Sequence, residues 1–116
     1  MSVSLMADQE LFGLFELDAA GTVLYHRLEP GREPRGASPD MAGHNFYEEV
    51  APFENVEEFR RCVTQFTRGE SPAESFTFDC RYGDHDEPVK VLLARIRERV
   101  NRDDTKSVLV HIRRGL

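Results

Sequence analysis

A few side chains of this 116-residue chain carry groups that could do chemistry, but none stands in a catalytic pattern. Asp84, His85 and Asp86 are three potential metal ligands in one turn. Consecutive turn residues do not converge easily on one ion, and acidic turns are common, so we expect no metal site. Glycine-rich nucleotide loops, a Gly-x-Ser-x-Gly elbow and a catalytic Cys/His pairing are absent from the sequence. We therefore expect no catalytic residues and a protein that is not an enzyme.

The two cysteines, Cys62 and Cys80, have no spacing typical of metal ligands. We expect both to be reduced thiols in the core, with no disulfide between them.

Composition indicates a globular protein with an acidic balance. Hydrophobic residues make up 40% and charged residues 31% of the chain, and the net charge is −6. Nucleic-acid binding normally needs a basic patch, so we expect no nucleic-acid partner. The densest basic group is Arg95, Arg97 and Arg99, whose alternation predicts the solvent-facing side of a strand.

No apolar run approaches the roughly 20 residues that span a bilayer. The first seven residues lack the basic start and long apolar centre of a secretory signal. These features predict a cytoplasmic protein without a membrane partner.

The first half of the chain predicts a hairpin, a loop and two helices. Apolar runs at 11–17 and 22–26 flank a short turn that ends at Gly21. Residues 27–40 carry three prolines and two glycines, which predicts a loop, with one helical turn near 38–40. Asn45 can cap a short helix through Val50. The long helix is predicted over 54–67, ending at Gly69. Its apolar stripe is Val56, Phe59, Val63 and Phe66, and its predicted water-facing residues are Glu57, Glu58, Arg60 and Arg61.

The last third alternates in the manner of three strands. Phe76, Phe78 and Cys80 share one face, turns are predicted at 83–86 and 101–104, and a phase shift predicts a bulge between Leu92 and Ala94. The economical architecture is α+β: a five-stranded antiparallel sheet covered on one face by short helices and one long helix. The alternating apolar residues of the last two predicted strands are Val89, Val91, Leu93, Val108, Val110 and Ile112.

The segment from Gly43 to Phe53, Gly-His-Asn-Phe-Tyr-Glu-Glu-Val-Ala-Pro-Phe, has a specific resemblance. It resembles the Gly-Lys-Asn-Phe-Phe-x-x-Val-Ala-Pro-Cys segment of the photoactive yellow protein branch of the PAS sensory domains. The hairpin from Phe12 to Asp18, with Gly21, resembles the opening hairpin of that branch at the same spacing. The resemblance runs over residues 11–113. It implies a PAS fold in a single domain over 11–116, with residues 1–10 as a flexible or dimerising arm.

The departures from this pattern decide which function the resemblance implies. The cysteine that carries the chromophore through a thioester falls on Phe53, and an aromatic ring cannot form a thioester. The tyrosine that holds the chromophore phenolate falls on His26. The glutamic acid proton donor falls on Pro30, beside Glu29. The remaining polar positions of the family's pocket fall on Pro34 and Gly36. The resemblance therefore implies a relative without a covalent cinnamoyl chromophore.

Two interpretations of the core remain open. Phe53 can fill the volume of a chromophore and leave a packed core, or a smaller pocket can accept an apolar ligand. His26 with Glu29 is a candidate proton sensor, although a half-exposed histidine is the simpler expectation. Haem is not expected, because the predicted long helix has no histidine and a helical cysteine is usually a small core residue. The residues predicted to line a pocket are His26, Glu29, Phe46, Phe53, Cys62, Phe66 and Phe78.

The functional expectation is a non-enzymatic PAS-type sensory or signalling module that binds a small ligand or a partner protein. The resemblance implies a signalling partner, and pairing of two copies through the sheet and the N-terminal segment. The alternative is a structural protein–protein adaptor with a dry core and no ligand.

Overall fold

The computed structural model describes residues 11–29, 40–97 and 105–115. Within these ranges the chain forms five strands, a short π-helical turn and one α-helix. In chain order they are β1 (Gly13–Leu17), β2 (Val23–Leu28), the π-helical turn (Phe46–Val50), α1 (Val56–Arg68), β3 (Ala73–Arg81), β4 (Asp86–Arg97) and β5 (Thr105–Arg114). The predicted order of elements is confirmed.

The strands form one antiparallel sheet in the order β2-β1-β5-β4-β3. Facing residues such as Phe15, Val110 and Leu93 are paired across β1, β5 and β4, and all three are fully buried. Phe59, Val63 and Phe66 of α1 are buried in the same core. The predicted α+β PAS fold, a five-stranded sheet with helices on one face, is confirmed.

The turn between β1 and β2 is fixed by one side chain and one glycine. Asp18 Oδ1 accepts the backbone N–H groups of Ala20 and Thr22, each at 2.9 Å. Gly21 has φ of 89°, a conformation that side chains disfavour. A Cβ atom at Gly21 would lie 2.6 Å from Cε2 of Tyr47, so the glycine also lets the π-helical turn approach the hairpin.

Asn45 caps the π-helical turn as its sequence predicts. Its Oδ1 accepts the N–H groups of Tyr47 and Glu48, at 3.0 and 3.1 Å. Its own N–H donates to Glu49 Oε2 at 2.7 Å, so the first donors of the turn are satisfied.

Asn55 connects the start of α1 to the sheet. Its side-chain amide donates to the Asp79 carbonyl at 2.8 Å, and its Oδ1 accepts the Arg81 N–H at 2.9 Å. The residue before α1 is therefore bonded to the end of β3, which fixes where the helix begins over the sheet.

The predicted bulge in β4 is wrong. Pairing with β5 continues without interruption through Leu92 and Ala94, and the register shifts only between Ile96 and Arg97. Ala94 and Ile96 look out of phase because they are partly buried on the outer side of the sheet. The inward phase continues to Arg95, which pairs with the buried Val108.

Arg95 is therefore not on a solvent-facing side, contrary to the expectation from the alternating arginines. Its guanidinium donates to the carbonyls of Phe66, Thr67 and Ser71 and lies 4.6 Å from the centroid of the Phe66 ring. A cation at this place satisfies carbonyls at the end of α1. Arg97 is exposed, and Arg99 lies outside the described residues.

Other expectations also fall outside the described ranges: the arm at 1–10, Pro30, Pro34, Gly36, most of the turn near 38–40 and the turn at 101–104. Among the described helices, of 5 and 13 residues, none has the length and apolar character needed to cross a membrane.

Candidate functional site

Phe53 lies inside a cluster of aromatic rings between α1 and β3. Its ring centroid is 5.7 Å from that of Phe59 on α1 and 6.0 Å from that of Phe78 on β3. Phe59 and Phe78 are themselves 5.3 Å apart at a steep interplanar angle of 82°. Phe46 also belongs to the cluster, because its ring centroid lies 5.9 Å from that of Phe59. Only 3% of Phe53 is exposed, so its ring is a part of the core.

The structure brings together three of the residues predicted to line a pocket. Phe46, Phe53 and Phe78 meet through Phe59, which the predicted pocket omitted although it belongs to the apolar stripe of α1. Phe66 is buried under the Arg95 guanidinium. Cys62 is half-buried on α1 and free.

His26 has a different acidic neighbour from the one expected. Its Nε2 accepts the Met41 N–H at 3.3 Å and lies 3.5 Å from Oδ1 of Asp40. Glu29 is exposed and lines a surface groove with His111. Asp40 is 14 residues from His26 in the sequence, and no local spacing indicates their approach.

Glu29 acts electrostatically on His111. Burial, and then the neighbouring Arg113, lower the pKa of His111, and the Glu29 carboxylate opposes them.

A cavity of about 210 Å³ opens beside Tyr47, between the β1–β2 turn, α1 and the start of β5. We call it the hairpin–helix cleft. Its lining combines an apolar wall with polar side chains from three separate parts of the chain. The wall is formed by Leu17, Val63 and Val108, and the polar residues include Asp18, Tyr47, Arg60 and Thr64.

Arg60 and Tyr47 both line this cleft and contact each other. The Arg60 guanidinium carbon lies 5.2 Å from the Tyr47 ring centroid. Burial raises the pKa of Tyr47 to about 12, with Arg60 acting in the opposite direction, so the phenol is protonated at neutral pH. Arg60 Nη1 also lies 3.8 Å from Glu57 Oε1, but Glu57 is 69% exposed and Arg60 41% exposed, and such a solvent-accessible pair stabilises little.

Sequence reasoning missed the hairpin–helix cleft. It assigned Arg60 to the water-facing side of α1, whereas the side chain is half-buried against Tyr47. The i, i+3, i+4 spacing of Arg60, Val63 and Thr64 was the available signal, because it places the three residues on one helical face.

Asp84, His85 and Cys80 carry reactive groups that lie outside the cleft and the aromatic cluster. Asp84 and His85 form a hydrogen-bonded pair, Oδ1 to Nδ1 at 2.6 Å, which holds the pKa of the Asp84 carboxyl below its usual range. Across the described ranges, no three His, Cys, Asp or Glu side chains converge as metal ligands. Burial raises the pKa of the Cys80 thiol to about 12, followed by the negative charges of Glu87 and Asp79.

Two curated proteins are similar to part of this chain, and no family model matches it. The photoactive yellow protein of Rhodothalassium salexigens is 42% identical over 53 residues, covering 45% of this chain and 42% of that protein. The photoactive yellow protein of Halochromatium salexigens is 40% identical over 67 residues, covering 51% of this chain and 50% of that protein. The matches thus span half or less of the relatives' own length. With the sheet order described above, they show that the chain is related to the photoactive yellow proteins and has a PAS fold.

Proposed function

We propose that this chain is a non-enzymatic PAS-type sensory or signalling module that binds a ligand or a partner protein without a covalent cinnamoyl chromophore. The observation that carries this proposal is the buried ring of Phe53. The resemblance places the chromophore-bearing cysteine at this position. A phenyl ring offers no nucleophile for a thioester, and here it makes close ring contacts with Phe59 and Phe78.

Neither cysteine is a suitable replacement for the missing thiol. Thioester formation needs a thiolate, and burial disfavours the thiolate of Cys80. Cys62 lies on α1, away from position 53 in the sequence and outside the ring contacts of Phe53. The name of the two relatives supports a sensory role, and the changed position 53 argues for a signal other than light absorption by a thioester-bound pigment.

The outer side of the sheet is the surface that we propose for partner binding, either to a second copy of this chain or to a cytoplasmic signalling protein. α1 packs on the opposite side, where Phe59 and Phe66 are buried. Tyr25 and Leu92 lie on the outer side and are 46% and 41% exposed. Large exposed apolar side chains on a sheet support protein contact.

A structural adaptor with a dry core is the second candidate function. Two observations favour it. The aromatic rings around Phe53 pack against one another, and every fully buried side-chain nitrogen or oxygen in the described part of the chain has a hydrogen-bond partner. A core without unsatisfied polar groups does not itself call for a ligand.

Mass spectrometry of the purified protein, native and then denatured, tests the proposal together with its near-ultraviolet and visible absorption. We expect the denatured mass of the unmodified chain and no visible band. A small molecule released on denaturation supports the sensory module, whereas its absence, together with capture of a partner, supports the adaptor. A covalent adduct contradicts both, and a Soret band indicates haem.

The variant Phe53→Cys separates loss of the thiol from loss of the whole pigment site. We expect no stable visible band after incubation with activated coumaric acid, because positions 26, 30, 34 and 36 also lack the family's polar groups. The wild-type protein, treated identically, is the control. A stable blue-absorbing product would show that the pigment site is intact apart from position 53.

A further inference from the structure

We propose that the hairpin–helix cleft binds a small monocarboxylate with a short apolar body. This inference rests on the proposed function as a ligand-binding module, and it names both the place and the chemical class of the ligand. The ligand would lie beside Tyr47, on the side of α1 that faces the β1–β2 turn, and not among the rings around Phe53.

The size of the cleft limits the ligand. A water molecule takes about 30 Å³ of liquid, so the cavity of about 210 Å³ has room for about seven waters. Pockets for drug-sized ligands start at about 300 Å³. The wall of Leu17, Val63 and Val108 suits a hydrocarbon body, and its small extent suits one with few carbon atoms.

The polar side chains of the cleft offer hydrogen-bond donors to an anion. A guanidinium binds a carboxylate through two parallel N–H donors, and Arg60 gives up only a weak exposed pair with Glu57 when it does so. The hydroxyl groups of Tyr47 and Thr64 make no hydrogen bond with the described part of the chain. Thr67 and Ser107 also line the cavity, but their hydroxyls already donate to other groups. The residues of the lining therefore supply two hydroxyls not engaged with the described residues and one cation.

The charge balance of the cleft favours a monoanion over phosphate. Arg60 is its one cationic side chain among the described residues, and it matches a single negative charge. Asp18 lines the same cavity, and its Oδ1 already accepts two backbone N–H groups. A phosphate dianion would carry a second negative charge toward this carboxylate, whereas a carboxylate would not.

Titration of the ¹⁵N-labelled full chain with benzoate and isovalerate, followed by NMR, tests the inference. We expect saturable amide shifts around Ala20, Val63 and Val108, which surround the cleft. Benzamide, which has nearly the same shape without the charge, should bind at least about tenfold more weakly. Inorganic phosphate should cause no saturable shift at these amides.

Two arginine variants provide a matched comparison on the same helix. Arg60→Gln should weaken benzoate binding by about tenfold or more. Arg61→Gln removes the same charge from the adjacent, exposed position and should change the affinity less than about twofold. Thr64→Val, which keeps the side-chain volume and removes one donor, should also weaken binding. Melting of each unliganded variant establishes that it is folded.

Several results would overturn the inference. These are equal binding of benzamide and benzoate, equal losses in the two arginine variants, or no saturable shift with either carboxylate. Shifts centred on Phe53 and Phe78 would also reject the cleft, but they would leave the sensory proposal intact. The sensory proposal is tested separately, by the mass spectrum and the absorption spectrum of the purified protein, so the two failures are distinguishable.

Discussion

A buried phenyl ring at position 53 contributes packing energy where a thiol would contribute a nucleophile. Burial of one phenylalanine is worth about 1.5–3 kcal/mol, and each favourable ring pair adds about 0.5–1.5 kcal/mol. Phe53 has two such neighbours, Phe59 and Phe78. At the scale of single residues, this position is therefore a stabilising part of the core, and any ligand must bind elsewhere or displace these contacts.

Gly21→Ala should lower the free energy of unfolding by about 1–3 kcal/mol, as measured by urea denaturation. The new methyl group would meet Cε2 of Tyr47 at 2.6 Å, in addition to the strain of a positive φ. Gly43→Ala is the matched control, because Gly43 has φ of 86° but nothing lies within 4 Å of its added Cβ. Equal losses for the two variants would show that contact with Tyr47 does not matter.

Single residues also show how far the sequence could predict the candidate site. The resemblance places Phe53 in the core, so a packed phenyl ring is one of the two interpretations that the sequence allows. The approach of Asp40 to His26 could not be predicted, because the two residues are 14 positions apart and no local pattern pairs them. The cleft joins Asp18, Tyr47 and Arg60, and their sequence separations carry no periodic signal.

At the scale of elements, side-chain hydrogen bonds connect both ends of α1 to the sheet. Asn55 bonds to the end of β3, and Arg95 of β4 donates to carbonyls at the other end of the helix. The apolar stripe predicted the helix and its buried side well. It could not predict Arg95, since a strand pattern normally assigns a charged residue to the solvent side.

Arg95→Met should destabilise the protein by about 1.5–3 kcal/mol, because carbonyls at the end of α1 lose a charged donor. Methionine keeps an unbranched apolar side chain but removes the guanidinium over the Phe66 ring, so the loss reports on the hydrogen bonds and the cation–π contact together. Thermal or urea unfolding measures it, with Arg61→Gln as the control at an exposed position. A loss for Arg95→Met no larger than that of the control would contradict the role of Arg95 at the helix end.

In the π-helical turn, Glu49 should contribute to the stability of the fold in a way that depends on acidic pH. The hydrogen bond from the Asn45 N–H, followed by that from His44, holds the pKa of this carboxyl below its ordinary value of 4.5. A depressed pKa stabilises the folded state above 4.5, and this contribution is lost as pH falls through the lower folded-state value.

Unfolding measured across this acidic range should therefore show a smaller fall in stability for Glu49→Gln than for the wild type. Glu48→Gln is the control, because Glu48 is exposed in the same turn and the Asn45 N–H donates to Glu49 instead. Identical pH profiles for the wild type and Glu49→Gln would exclude this contribution.

At the scale of the whole molecule, three regions have different proposed roles. The aromatic core lies under α1, the hairpin–helix cleft opens beside the β1–β2 turn, and the outer side of the sheet exposes Tyr25 and Leu92. The alternating apolar residues and the resemblance of residues 43–53 predicted the fold, because both can be read from short stretches of sequence. Ligand chemistry depends on how distant elements meet, and it could not be predicted from those patterns.

Urea unfolding of Phe53→Ala is the most direct test that a phenyl ring stabilises the core where the resemblance places a pigment-bearing thiol. We predict a loss of about 3–5 kcal/mol in the free energy of unfolding, because the ring is 3% exposed and its removal leaves a cavity. Leu92→Ala, at a side chain that is 41% exposed, should lose much less. A loss below about 1 kcal/mol for Phe53→Ala would contradict the account.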